Sequence, residues 1–138
     1  MKTSVILLLL LLLNSCSEPQ LSTYEQIESF YHRFKEGNFE RFSRIIVINE
    51  EGTCINCNNL FARNQAENLS KDSVLFIVSG YGTMVDISAY VDKSSPNLIL
   101  DPKNEFQKLN LKKGCSIIEI ANHKIKSITT INAKNVRN

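Results

Sequence analysis

Residues 45–61 have the sequence IIVINEEGTCINCNNLF, in which a strand, a turn and the start of a helix follow one another. The four aliphatic residues 45–48, three of them β-branched, predict a strand that is buried on both faces. A turn-forming segment follows, and Thr53 can cap a helix whose first turn carries Cys54 and Cys57. The sequence therefore predicts a Cys-x-x-Cys pair at the amino end of a helix.

This placement favours redox chemistry at the two cysteines. The unpaired N–H groups and the positive dipole end of a helix stabilise a thiolate at Cys54. Cys57 lies three residues further on the same helical face, close enough to resolve a mixed disulfide. Two other interpretations remain open, a structural disulfide and a metal or cluster site.

The beginning of the chain is predicted to be a targeting segment that does not belong to the fold. Lys2 supplies a positive charge, and residues 5–13 form an apolar run of nine residues. A run of that length is too short to span a bilayer, which needs about 20 residues, but is typical of a signal peptide. The following Leu13-Asn14-Ser15-Cys16 resembles the lipobox of bacterial lipoproteins. The resemblance implies cleavage after residues 1–15, lipidation of Cys16, and an exported protein anchored to a membrane in the periplasm or at the cell surface.

The predicted mature chain has a tether at 16–21 and one domain at 22–138. Once Lys2 is removed, 15 basic residues face 14 acidic ones, so no net charge favours nucleic acid as a partner. Besides Cys16, the cysteines are Cys54, Cys57 and Cys115. An odd number in an exported protein indicates either one disulfide with a leftover thiol or a three-thiolate site.

The rest of the domain alternates helices with strands. Two overlapping capping boxes at 22–26 predict the start of a helix that carries an aromatic stripe, and Gly37 ends this helix. Residues 38–43 connect the helix to the first strand. The helix after the cysteines extends to about Ser70. The further predicted elements are strands at 73–79, 97–100, 116–121 and 124–131, a helix at 83–93, a helical turn within 106–111, and a tight turn at Asn122-His123. This order predicts an α/β sandwich with a central mixed sheet flanked by helices and closed by a β-hairpin.

Three segments together resemble the thioredoxin fold, specifically the membrane-anchored thioredoxin-like lipoproteins of the redoxin/TlpA-like group. The first is the strand and Cys-x-x-Cys at 45–57. The second is NLILDPKNEF at 97–106, similar to that group's strand, aspartate and turn. The third is CSIIEIANHKI at 115–125, similar to its closing hairpin. The similarity covers roughly 45–131.

The resemblance implies a lipid-anchored thiol–disulfide oxidoreductase of the cell envelope. Cys54 would attack, Cys57 would resolve, and no cofactor would be needed. Its partners would be thiols or disulfides of other proteins, and the lipid anchor would hold it at the membrane. The family's cis-proline falls on Cys115, which would be an auxiliary thiol beside the pair, and the loop before Ser116 is expected to be trans and reshaped.

Two alternatives use the same fold. One is a metal-binding module with three cysteine ligands, for which His123 would be a poor fourth ligand because it lies on the far hairpin turn. The other is a non-catalytic envelope binding protein whose disulfide is structural. For Cys115 itself, the simplest interpretation is a small buried hydrophobic residue.

Overall fold

The computed structural model describes residues 20–49, 55–80, 95–111 and 113–136, which form a mixed five-stranded sheet with helices on both faces. The α-helices are α1 (Thr23–Phe34) and α2 (Ile55–Gln65), and the strands are β1 (Arg44–Asn49), β2 (Val74–Ser79), β3 (Leu98–Asp101), β4 (Ser116–Ala121) and β5 (Lys124–Thr130). Short 3-10 helices cover Phe39–Arg41, Ala66–Ser70 and Phe106–Leu109. The predicted leader at 1–15, most of the predicted tether at 16–21 and the predicted helix at 83–93 lie outside the described residues.

The strand order is β3-β2-β1-β4-β5, with β1 at the centre. β1 runs parallel to β2, and β2 runs parallel to β3, whereas β4 pairs antiparallel with both β1 and β5. The predicted α/β class, mixed sheet and closing hairpin are therefore confirmed. Within the described ranges no helix has the length and apolar composition needed to cross a bilayer.

Alternate side chains of β1 enter two separate cores. Ile45 and Val47 pack on the side of α1, and Ile46 and Ile48 pack on the side of α2. Each of these four side chains is fully buried. Burial on both faces is what a continuous aliphatic run in a parallel sheet predicts.

The predicted first helix forms with its capping box intact. Ser22 Oγ accepts from the Glu25 N–H at 3.3 Å, and the Ser22 N–H donates to Glu25 Oε2 at 2.6 Å. The helix ends at Phe34, before Gly37, which has a positive φ of 113°. The segment predicted as a simple connection at 38–43 instead contributes Phe39 and Phe42 to the core on the side of α1.

The helix after the cysteines continues to Ser70, but its last turn and a half tightens into the 3-10 helix Ala66–Ser70. The closing hairpin matches the prediction closely. Ala121 pairs with Lys124, so Asn122 and His123 are its two-residue loop, with positive φ values of 52° and 56°.

Candidate functional site

The carboxyl ends of the three parallel strands form a buried polar row. The last residues of β1, β2 and β3 are Asn49, Ser79 and Asp101, which pair in register, Asn49 with Ser79 and Ser79 with Asp101. All three are almost completely buried. Ligands and reacting groups of open α/β sheets lie at this edge, because connections leave the strands there. In the chain, the segment that carries Cys54 follows β1 directly.

Asp101 organises one end of the row. Its Oδ2 accepts from the Ser79 hydroxyl at 2.7 Å and from the Phe106 N–H at 2.8 Å, and its Oδ1 accepts from the Glu105 N–H at 3.0 Å. Asp101 therefore satisfies the N–H groups at the start of the 3-10 helix Phe106–Leu109 and holds the end of β2. A buried carboxylate with three donors has its hydrogen-bonding capacity used within the fold, which indicates a structural role.

Cys57 lies in the first turn of α2, as predicted. Its side chain is half-buried and packs against the core on the side of α2, the same cluster that contains Cys115. Cys54, one residue before Ile55 in the sequence, lies outside the described residues, as does Cys16. The predicted proximity of Cys54 to Cys115 therefore falls outside the described residues.

Cys115 reaches the end of β1 through the pairing of β4. The ladder between β1 and β4 runs from Arg44 opposite Glu119 to Val47 opposite Ser116, so Cys115, the residue before Ser116, lies beside the last two residues of β1. Only 1% of Cys115 is exposed. The described residues contain no cis peptide bond, so the loop that carries Cys115 before Ser116 is trans, as expected.

The Cys115 thiol is held by three polar atoms. The Asn49 N–H donates to Sγ at 3.4 Å, which extends the ladder of β1 with a side-chain acceptor. The thiol can donate to Asn58 Oδ1 at 3.1 Å or to the Asn49 carbonyl oxygen at 3.6 Å. The Asn58 amide Nδ2 donates to that same carbonyl at 2.8 Å. Asn58 is thus a bridge between α2, β1 and Cys115, and it is itself 2% exposed.

The surroundings of Cys115 favour the neutral thiol. Burial raises its pKa to about 11, the Asn49 N–H opposes that rise, and negative charge on Cys57 adds to it. Withdrawal from water disfavours a thiolate. Cys57 packs against the same core cluster as Cys115, and Asn58, the residue after Cys57, contacts the Cys115 thiol, although 58 residues separate the two cysteines in the sequence.

His123 is remote from this cluster. It lies on the hairpin turn at the far end of β4, where its ring contacts Tyr24 and its Nδ1 is 3.5 Å from Glu40 Oε1. The described residues hold no group of three or more His, Cys, Asp or Glu side chains arranged to bind a metal ion. The three-cysteine metal site predicted as an alternative includes Cys54, and it remains a prediction.

Asn49 and Asn58 were not singled out in the sequence as site residues. Asn58 directly follows Cys57 and Asn49 precedes Cys54 by five residues, but asparagine in a turn or in a first helical turn usually has a local role. The only sequence signal is the position of Asn58, directly after Cys57 on a helix. Its contact with Cys115 spans 57 residues and depends on the pairing of β4 with β1.

Comparisons with known proteins gave no match: no family model fits the chain, and neither the curated proteins nor the solved structures contain a sufficiently similar chain.

Proposed function

We propose that this chain is a thiol–disulfide oxidoreductase with a thioredoxin-like fold, anchored to a membrane of the cell envelope through lipid on Cys16. Cys54 is the attacking thiolate and Cys57 is the resolving thiol. Their substrates are thiols or disulfides of other proteins. The enzyme needs no further cofactor, because the two sulfur atoms carry the electron pair.

The observation that carries the proposal is the approach of Cys115 to the first turn of α2. Cys115 contacts Asn58, the residue after Cys57 on α2, because β4 pairs with the central strand β1 in this register, so two distant segments of the chain that carry cysteines meet at one edge of the sheet. The resemblance to thioredoxin-like proteins requires this register, since it places Cys115 at the family's cis-proline position. A simple local Cys-x-x-Cys would not require it.

The strand order supports the same conclusion. A central strand that enters the Cys-x-x-Cys helix, with a parallel neighbour on one side and an antiparallel hairpin on the other, is the arrangement expected from the resemblance. Fold alone does not establish chemistry, so the proposal depends on the sulfur atoms and their surroundings.

The reaction conserves electrons at each step. The Cys54 thiolate attacks one sulfur of a substrate disulfide, forms a mixed disulfide and releases a substrate thiolate. The Cys57 thiolate then attacks Cys54 Sγ, which forms the Cys54–Cys57 disulfide and releases the second substrate thiolate. The substrate gains two electrons, and the two protons from the protein thiols pass to the substrate thiolates.

The test is turnover of a disulfide-bonded protein with dithiothreitol as the electron donor. We expect activity in the wild type, none in Cys54→Ser, and a trapped mixed disulfide on Cys54 in Cys57→Ser. Cys115→Ser is the matched control, since it changes a neighbouring sulfur outside the reacting pair, and it should retain activity. Equal rates in the wild type and Cys54→Ser would contradict the proposal.

A further inference from the structure

Among the described residues, one orientation of the Asn58 amide satisfies both of its neighbours, the Asn49 carbonyl and the Cys115 thiol. The backbone carbonyl of Asn49 can only accept a hydrogen bond, so Asn58 must direct its Nδ2 group towards it, at 2.8 Å. This leaves Asn58 Oδ1 facing Cys115 Sγ at 3.1 Å. An amide oxygen has no hydrogen to give, so Cys115 must be the donor and must carry its proton.

The other contact of the thiol completes its hydrogen bonding. Sγ accepts from the Asn49 N–H while its S–H group donates to Asn58, so the buried neutral thiol has a partner in each role. A thiolate would keep the Asn49 donor but would face the negative end of the Asn58 carbonyl. From α2, the ionisable neighbour among the described residues is Cys57, whose negative charge also disfavours a thiolate on Cys115. β1 brings Asn49, which has no ionisable side chain.

We infer that Asn58 is a positioning residue that determines which cysteines pair, because it holds Cys115 as a neutral thiol and so keeps it out of the disulfide formed by Cys57. Cys57 and Cys115 belong to one core cluster, and Cys54 lies three residues before Cys57 in the sequence, so the three thiols could form more than one disulfide. The thiolate is the nucleophile in thiol–disulfide exchange, so a cysteine held in the neutral form is a poor competitor. The inference rests on the proposed function for the identity of the preferred pair, but the hydrogen bond itself can be tested without activity.

The relevant reaction is oxidation by glutathione disulfide. The Cys54 thiolate displaces one glutathione thiolate to form a mixed disulfide, and a second protein thiolate attacks Cys54 Sγ and displaces the other. Two electrons leave the protein, and the two protons from its thiols go to the two glutathione thiolates. The second thiolate comes from Cys57 in the wild type, and also from Cys115 when the Asn58 oxygen is removed.

Two substitutions of similar size separate positioning from packing. Asn58→Leu removes the acceptor, whereas Asn58→Asp keeps an oxygen acceptor and adds negative charge. Both break the hydrogen bond to the Asn49 carbonyl, so a purely structural role predicts that both make Cys115 more reactive. A positioning role predicts opposite effects on the reactivity of Cys115, an increase in Asn58→Leu and a decrease in Asn58→Asp. Asn64→Leu is the control, since it removes another side-chain hydrogen bond of α2. In the wild type, the Asn64 amide donates this hydrogen bond to the backbone carbonyl of Val136 at 3.2 Å.

The experiment uses the full chain and mass-spectrometric mapping of individual cysteines. In reduced protein, we expect alkylation of Cys115 to be about 3- to 10-fold faster in Asn58→Leu, slower than wild type in Asn58→Asp, and unchanged in Asn64→Leu. After oxidation by glutathione disulfide, Cys115 should appear in a disulfide only in Asn58→Leu.

Faster alkylation in both Asn58 variants, or no change in Asn58→Leu, would overturn the inference. If Asn58→Leu does not fold, judged by circular dichroism, the direction of the change in Asn58→Asp decides. If neither folds, the Cβ chemical shift of ¹³C-labelled Cys115 in the wild type decides. It should keep its thiol value at pH 9.5, and a thiolate value there would refute the claim that Cys115 is held as a neutral thiol. Should the wild type form no Cys54–Cys57 disulfide while the alkylation rates shift as expected, the proposed function fails and the role of Asn58 stands.

Discussion

The buried thiol of Cys115 should make the protein lose stability at alkaline pH. Its pKa is raised from 9.0 to about 11 in the fold, mainly by burial. Below pH 9 the Cys115 thiol keeps its proton in both the folded and the unfolded chain, so it does not reduce the free energy of unfolding there. Above pH 9 the unfolded chain loses the proton and the folded chain retains it, so the free energy of unfolding falls until the folded pKa is reached.

The size of the effect follows from the shift. One pKa unit corresponds to about 1.4 kcal/mol, so the free energy of unfolding should fall by about 1.4 kcal/mol per pH unit above pH 9. The full loss approaches about 3 kcal/mol near pH 11. That is a large part of the typical stability of a small domain, about 5–15 kcal/mol.

The assay is urea unfolding of reduced protein between pH 7 and 10.5, compared with Cys115→Ser. Serine does not titrate in this range and retains a hydroxyl that can accept from the Asn49 N–H and donate to Asn58. Other groups, including Tyr24, whose pKa burial also raises, titrate in both proteins and cancel in the difference. The difference in free energy of unfolding should be constant up to pH 9 and then decline. A flat difference up to pH 10.5 would refute the account of Cys115.

Three further predictions concern other parts of the molecule. Asp101→Ala should lower the free energy of unfolding by about 2–4 kcal/mol in urea unfolding, because the N–H groups of Glu105 and Phe106 lose their acceptor and the Ser79 hydroxyl keeps only Asn104 Oδ1; Asp101→Asn should cost less, and equal stability of all three proteins would contradict this. Gly80→Ala should cost about 1–2 kcal/mol in the same assay, because φ is +70° there and the new Cβ would lie 3.3 Å from Asn104 Cγ; an unchanged unfolding midpoint would show that the turn relaxes freely. Cys16→Ala should move the protein from the detergent phase to the aqueous phase or leave its leader uncleaved, and identical partitioning of wild type and variant into the aqueous phase would remove the lipoprotein interpretation.

Local patterns were sufficient to predict most elements of the fold. The aliphatic run of β1 specified a strand buried on both faces, because polar residues would have marked a solvent face. The reciprocal bonds of Ser22 and Glu25 fixed the start of α1. Asn122 tolerates positive φ, which fixed the closing hairpin. In each case the signal lies within a few residues of the structure that it specifies.

The roles of Phe39 and Phe42 were missed because their segment has no helical or strand period. Both side chains are almost fully buried, and Phe39 contacts Tyr24 and Tyr31 with ring centroids 5.4 and 5.3 Å apart. Their burial depends on the position of α1 over the sheet. A two-residue aromatic signal in a connection does not reveal which surface it will cover.

The contacts of Cys115 could not be predicted from the sequence either, because they join segments that are far apart in the chain. The resemblance placed Cys115 near the cysteine loop, but the contacts with Asn49 and Asn58 follow from the register between β1 and β4. Register is set by the whole hairpin and its packing, since a shift of one residue would turn Cys115 to the other face of the sheet.

The most direct test of the central claim is the reduction potential of the Cys54–Cys57 pair, measured in the full chain by equilibration with glutathione and with dithiothreitol. Site-resolved mass spectrometry would report the fraction of each cysteine in a disulfide. A redox-active pair predicts a potential between about −270 and −120 mV, the range of known dithiol enzymes, with Cys115 still reduced. A potential below about −300 mV would indicate a structural disulfide and contradict the proposed function.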